Sequence, residues 1–86
     1  MRIYYASSFT RDYKKLPERQ KILFALKEDL FKSTPFHPSL RSHKLHGPLS
    51  TRHAFSVDHR TRVMFVFVEN GDVIFLHIGD HRMYGE

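Results

Sequence analysis

The stretch "TRVMFVFVENGDVIFLHIG", Thr61 to Gly79, constrains the fold more than any other part of the chain. Two runs of β-branched and aromatic residues flank Asn70-Gly71, and that pair suits the left-handed angles of a two-residue type I′ turn. Any fold for this chain therefore has to contain an antiparallel hairpin. Arg62 is the polar residue at the head of the first run. On strand alternation it shares a face with Met64, Val66 and Val68.

The remaining elements follow from their own periodicities. "RIYYA" reads as a first strand, with Ile3 and Tyr5 on one face and Tyr4 on the other. "SSFTRDYKKL" predicts a short helix capped by Ser7 or Ser8, with Phe9, Tyr13 and Leu16 along one side. Pro17 restarts the chain. From Glu18 to Lys32, Ile22, Leu23, Ala25, Leu26, Leu30 and Phe31 recur at three- and four-residue steps, the pattern of an amphipathic helix. Pro35 and Pro38 break it, and a loop is expected to about Pro48. "RHAFSVD" reads as a short strand with Ala54 on one side and Phe55 and Val57 on the other. The predicted order is β-α-α-β-β-β. This is an α+β domain over residues 1–86, with two N-terminal helices on one face of a small antiparallel sheet and the other face free for work.

Eighty-six residues leave room for one thin core, and eight Phe and four Tyr supply its bulk. The chain has no cysteine, which suits a reducing compartment. With no apolar leader and no run able to span a bilayer, a soluble, unprocessed, cytoplasmic protein is expected.

The formal net charge is +5, and its distribution is uneven. Between Lys32 and Arg62 six basic residues face one acid, Asp58, and five of the seven histidines fall in the same window. Such a concentration attracts polyanions, RNA and DNA first among them. A solvated surface with a basic bias accounts for the composition equally well.

Several chemistries are disfavoured. His43 and His46 are three apart in a predicted loop, and His77 and His81 straddle a strand end, so neither pair has the convergence of a zinc site. There is no nucleophile elbow, no phosphate-cradling glycine loop and no carboxylate pair in the sheet region. Cationic and imidazole chemistry remains. Cleaving RNA by internal attack needs a base for the 2′-hydroxyl proton, cations for the phosphate and an acid for the leaving 5′-oxygen. Histidine serves as acid or base near neutral pH, and the arginine fork matches phosphate. Arg62 fits the phosphate role, or it is simply an exposed strand end. His81 and Tyr84 lie three apart just beyond the last strand, where an ordinary C-terminal tail is the plain alternative. His77 alternates with Val73 and Phe75 and is expected to be a satisfied, partly buried histidine. Asp58 is expected to start the turn "DHRT".

Taken in order, "FTRDYKKLP", an amphipathic helix, "HPSLRSHKLHGPL", "RHAFSVDHRTRVMFVFVENGDVIFLHIGDH" and a terminal "RMY" resemble the RelE/ParE superfamily of bacterial toxins, nearest its YafQ/RelE-type branch. The likeness covers nearly the whole chain through loose motifs in a specific order. It implies the toxin of a type II toxin–antitoxin system: an endoribonuclease that cuts mRNA on the ribosome without metal or cofactor. A co-encoded antitoxin would neutralise it in a hetero-oligomer. Arg62 matches the family's strand arginine on the scissile phosphate, His81 the histidine after the last strand, and Tyr84 the C-terminal aromatic that holds substrate. His43 in "HKLHG" resembles a YafQ-type histidine, and Arg52 the basic residue opening the second strand. With Lys44, His46, His59 and Arg60 they would form an RNA-binding rim.

The departures matter. The family's Asp-Trp pair between the second and third strands has no clean counterpart, Asp58, His59 and Arg60 standing there displaced in register, and the second strand lacks the RelE-type lysines. A weakened toxin, a ParE-like gyrase inhibitor that is not a nuclease and a non-catalytic RNA-binding module therefore stay open as alternatives.

Overall fold

In a computed structural model, which describes residues 1–80 and Arg82, the Asn70-Gly71 turn forms as the sequence predicts. Asn70 (φ 65°) and Gly71 (φ 77°) both take left-handed angles, and the Asp72 amide donates to the Glu69 carbonyl at 3.3 Å. The flanking strands β4 (Arg62–Phe67) and β5 (Val73–Gly79) pair antiparallel from Phe67↔Val73 to Arg62↔Gly79. On the β4 side, β3 (His53–Ser56) and then a two-residue β2 (His43–Lys44) extend the sheet. On the β5 side lies β1 (Ile3–Tyr5), giving the order β1-β5-β4-β3-β2.

The architecture is α+β with the expected helices, but the sheet is mixed rather than wholly antiparallel. β1 runs parallel to β5, with Ile3 opposite Val73 and Tyr5 opposite Phe75. α1 (Ser7–Lys14), α2 (Glu18–Ser33) and three strands lie between them, a connection long enough to return the chain in the same direction. β2 falls within the predicted loop. Two residues carry no period, so only the pairing with Ala54 and His53 makes them a strand.

Beyond Tyr5 the edge of β5 would present unpaired backbone groups, and α1 covers them. The Ser8 hydroxyl donates to the Leu76 carbonyl at 2.6 Å, and the Asp12 carboxylate accepts from the Ile78 amide at 3.2 Å and meets His77 Nδ1 at 2.9 Å. The expected serine cap is thus absent. Ala6 precedes the helix with no side-chain cap, because the Ser8 hydroxyl is committed to the neighbouring strand. A bulge at Met64/Phe65 leaves Phe65 opposite Phe75 but Met64 opposite His77. The alternation of β5 changes phase there, so Val73, Phe75 and Ile78 are buried in the core while His77 is half-buried against Asp12. His77 is satisfied as expected, on the opposite phase from Val73 and Phe75.

α2 docks through Leu23, Phe24, Leu30 and Phe31, which follow one helical face. Ile22 and Leu26 point to solvent, 57% and 62% exposed, although the periodicity admits them to the apolar side. The two large rings, seven residues apart, decide the rotation. Phe31 is 0% exposed and touches all three central strands, with ring centroids 4.8 Å from Phe55, 4.9 Å from Phe65 and 5.5 Å from Phe75. On the other sheet face Leu45, Ala54 and Met64 form a small second cluster packed by Leu49 and Leu76. Part of the face expected to be free is therefore roofed by the segment after β2.

His53 is set among aromatic rings, stacked on Phe65 at 5.5 Å and edge-on to Phe67 at 5.2 Å. Its Nδ1 is buried and has no hydrogen-bond partner among the described residues. Burial lowers its pKa below the ordinary 6.5, and Lys44 and His43 add to the effect. The folded state therefore resists protonation. Stability from this group is complete above pH 6.5 and declines as pH falls below that value. His53→Phe should stabilise by about 1 kcal/mol, about 4–8 °C in Tm, by removing the unsatisfied nitrogen while keeping the ring contacts. It should also flatten the decline below pH 6.5 in thermal melts. A lower Tm for the variant at pH 7.5 would contradict this.

Candidate nucleic-acid interface

Strand register sets which basic residues share a surface. Directly opposed residues face the same side, so His43, Ala54 and Met64 form one row and Ser56, Arg62 and Gly79 the next. Ala54 and Met64 belong to the cluster away from the helices, which fixes the side. Arg52, two residues before Ala54, lies on that side too, and its Nη1 approaches Met64 Sδ at 3.6 Å. The face away from the helices thus gathers Arg52, Arg62 and His43. Gly79 opposite Arg62 carries no side chain to crowd it.

The β3–β4 turn positions Arg62. Asp58 Oδ1 accepts from the amides of Arg60 at 2.9 Å and Thr61 at 2.7 Å, an Asx-type turn. Its Oδ2 accepts from Gln20 Nε2 at 2.9 Å, which ties the turn to α2. The carbonyl of the same residue accepts from Arg62 Nη1 at 2.5 Å, and the Thr61 carbonyl is 3.5 Å from that nitrogen. Asp58 therefore starts the turn with its carboxylate and orients the arginine with its backbone. Among the described residues both hydrogen bonds of the guanidinium come from Nη1, which leaves the rest of the fork for a ligand.

Burial alone would push the Asp58 pKa up. The hydrogen bonds from Gln20, Thr61 and Arg60, with His59 nearby, outweigh it and hold the pKa at about 2 against an ordinary 3.8. The sign follows from linkage: a depressed carboxylate stabilises the fold above pH 3.8, and this is lost as pH falls towards about 2. Asp58→Asn should cost about 1–2 kcal/mol at pH 7, the lower value reflecting solvent screening. It should also flatten the acid limb of stability between pH 4 and 2, read by urea titration. An unchanged acid limb would show that the carboxylate does not hold the turn.

The other sequence-predicted residues are more scattered. His43 is exposed, with Nδ1 3.0 Å from the Arg41 carbonyl. Lys44 faces the opposite side of the sheet, paired with His53. His46 is exposed before the short 3-10 turn Gly47–Leu49. His59 and Arg60 are exposed in the β3–β4 turn and border a shallow depression with Asp80 and Arg82, which are ion-paired at 2.7 Å. His81 and Tyr84 lie outside the described residues. Among the described residues no three His, Cys, Asp or Glu side chains come together as a metal-binding group. No helix there is long and apolar enough to cross a membrane.

A cleft of ≈170 Å³ opens beside Arg62, lined also by Lys27, Ser39, Arg41, Ser56, Asp58 and His59. Sequence reasoning did not single out Lys27 or Arg41. Arg41 lies inside the basic window, whereas Lys27 is one polar position among several on α2, and only packing of the helix brings it to the strand end.

The mixed five-stranded sheet backed by two helices is a fold that this chain shares with solved toxins. The chain is similar to a YoeB/ParE toxin from Agrobacterium tumefaciens, at 16% identity over 94% of this chain and 99% of that one, with TM-score 0.77. It is similar to YafQ from E. coli strain BL21(DE3) at 14% identity over 100% of both chains, TM-score 0.72. It also matches the toxin–antitoxin complex RelBE2 from Mycobacterium tuberculosis at 21% identity over 93% of this chain and 96% of that one, TM-score 0.68. No protein-family profile matches the sequence, and no curated protein matches it.

Proposed function

We propose that this chain is the toxin of a type II toxin–antitoxin pair, an endoribonuclease that cuts mRNA on the ribosome without a metal. The observation that carries the reading is Arg62: a guanidinium fork held at the head of β4 by the Asp58 carbonyl, on the same face as Arg52 and His43. The shared fold with toxins, one solved with its antitoxin, supports it.

In the proposed reaction the ribose 2′-oxygen attacks the adjacent phosphorus, the bond to the 5′-oxygen breaks, and a 2′,3′-cyclic phosphate is left. Arg62 and Arg52 would hold the phosphate oxygens as charge builds on them. His43 would take the 2′-hydroxyl proton, and His81 would give one to the departing 5′-oxygen. Tyr84 would pack on a base or sugar. His46, His59 and Arg60 would guide the strand electrostatically, and Lys44, turned to the other face, would take no part. An antitoxin would cover this basic surface with an acidic segment that orders on binding.

The test is induced expression in bacteria with primer-extension mapping of 5′ ends on a translated message. Discrete in-frame cuts that vanish when translation is blocked are the expected result. An intact message in growth-arrested cells would favour gyrase inhibition, and an intact message with normal growth a binding module; either outcome sinks the nuclease reading.

A further inference from the structure

The cleft beside Arg62 is a site in its own right. It is built from four separated parts of the chain: Lys27 on α2, Ser39 and Arg41 around the 3-10 turn Pro38–Leu40, Ser56 at the end of β3 and Arg62 on β4. Three cations and the Ser56 hydroxyl therefore converge on ≈170 Å³, while the Ser39 hydroxyl is engaged by His37 Nδ1 at 3.0 Å. The one acid in the lining, Asp58, has its carboxylate occupied by Gln20 and two backbone amides. With Arg62 left to the reacting phosphate, Lys27 and Arg41 against Asp58 leave one net positive charge, and their ammonium and guanidinium donors are those that bind phosphate oxygens.

Arg41 adds a second, independent observation. It closes the 3-10 turn in the left-handed region, φ 51° and ψ 36°. Glycine or asparagine takes that conformation with less strain, and strained non-glycine residues cluster where a side chain has work to do. The turn needs only a residue that tolerates the angle, whereas the cleft uses a guanidinium.

From this convergence of Lys27, Arg41 and Ser56 beside Arg62, we infer that the cleft is a second phosphate subsite, which holds an RNA backbone phosphate neighbouring the one at Arg62. This rests on the RNA reading above and extends it. The subsite sets the path of the strand past the reacting phosphate and contributes to binding rather than to the chemical step.

The test uses a fluorescent 2′-O-methyl RNA hexamer, which cannot be cut, and reads affinity by anisotropy across a salt series. Arg41→Gly relieves the left-handed strain, so the fold is retained and Tm holds or rises. Lys27→Met keeps the aliphatic stem, and Lys14→Gln on α1 is a control for net charge. Each cleft variant should bind the hexamer about 5–10-fold more weakly at ~0.1 M salt, with the slope of log affinity against log salt reduced by about 0.7, one single-strand phosphate contact. The control should keep the parent's slope. Excess inorganic phosphate at constant ionic strength should compete with the hexamer on the parent and lose that effect on Arg41→Gly. If phosphate competes equally on both proteins, or both cleft variants keep the parent's affinity and slope, the subsite is wrong, whatever the expression assay shows. If the parent leaves messages intact but the variants lose hexamer binding, the nuclease reading fails and the subsite stands.

Discussion

Arg62→Ala is expected to lower mRNA cleavage by about 10²–10³-fold while the protein stays folded. The magnitude is that of removing one preorganised charged donor from a site where negative charge builds in the transition state. The structural cost is small by comparison. Arg62 is half-buried, and its loss removes a hydrogen bond to the Asp58 carbonyl and a longer one to the Thr61 carbonyl, about 1 kcal/mol together. Arg62→Lys separates the two roles. It keeps the charge but not the fork, so it should recover part of the binding and little of the rate. The plain alternative is that Arg62 is a strut for the turn. In that case Arg62→Ala lowers Tm, and cleavage by the folded fraction stays within about threefold of the parent; that result would remove Arg62 from the proposed chemistry.

The largest effect on stability is expected at Phe31. Its ring contacts Phe55, Phe65 and Phe75 on three successive strands of the sheet. Phe31→Ala should cost about 3–5 kcal/mol, the transfer free energy of the ring plus the cavity it leaves. A domain of this size holds only about 4–13 kcal/mol in all, so the variant should melt at least about 15 °C lower or be partly unfolded at 37 °C. Leu26→Ala is the control. It lies on the same helix in the same apolar pattern, yet it is 62% exposed, and its loss should stay within about 0.5 kcal/mol. Equal shifts of the urea midpoint for the two variants would mean that α2 docks on a different face.

Ile22, Leu26 and Phe31 show where the sequence stopped being informative about the fold. Ile22 and Leu26 share one side of the helix and Phe31 lies about half a turn round from Ile22, so three- and four-residue steps run the apolar positions around α2 and do not select its rotation. Phe24, which carries much of the contact with Phe9 and Phe75, was not among those positions at all. The same limit applies to the strands. Period two assigns Phe55 and Ala54 correctly to opposite faces. It fails for His77 because one bulge at Met64/Phe65 inverts the phase.

The candidate site divides in a similar way. The basic window and the position of Arg62 on a strand face were legible, since charge is additive along a sequence and alternation is local. The cleft was not. Lys27 is 35 positions from Arg62 in the sequence, and only docking of α2 through Phe24 and Phe31 brings their side chains to one cavity. Lys44 shows the reverse case: beside His43 in sequence, it is turned to the other face of the sheet.

By itself the sequence determined the hairpin at Asn70-Gly71, the two helices, four of the five strands and the concentration of positive charge. Each of these depends on turn angles, short-range periodicity or composition, and neighbouring residues carry all three. The tertiary structure alone decided that β1 joins the sheet parallel to β5, which face of α2 is buried and which cations share a cleft with Arg62. Those depend on contacts between residues far apart in the chain, and no local pattern encodes them.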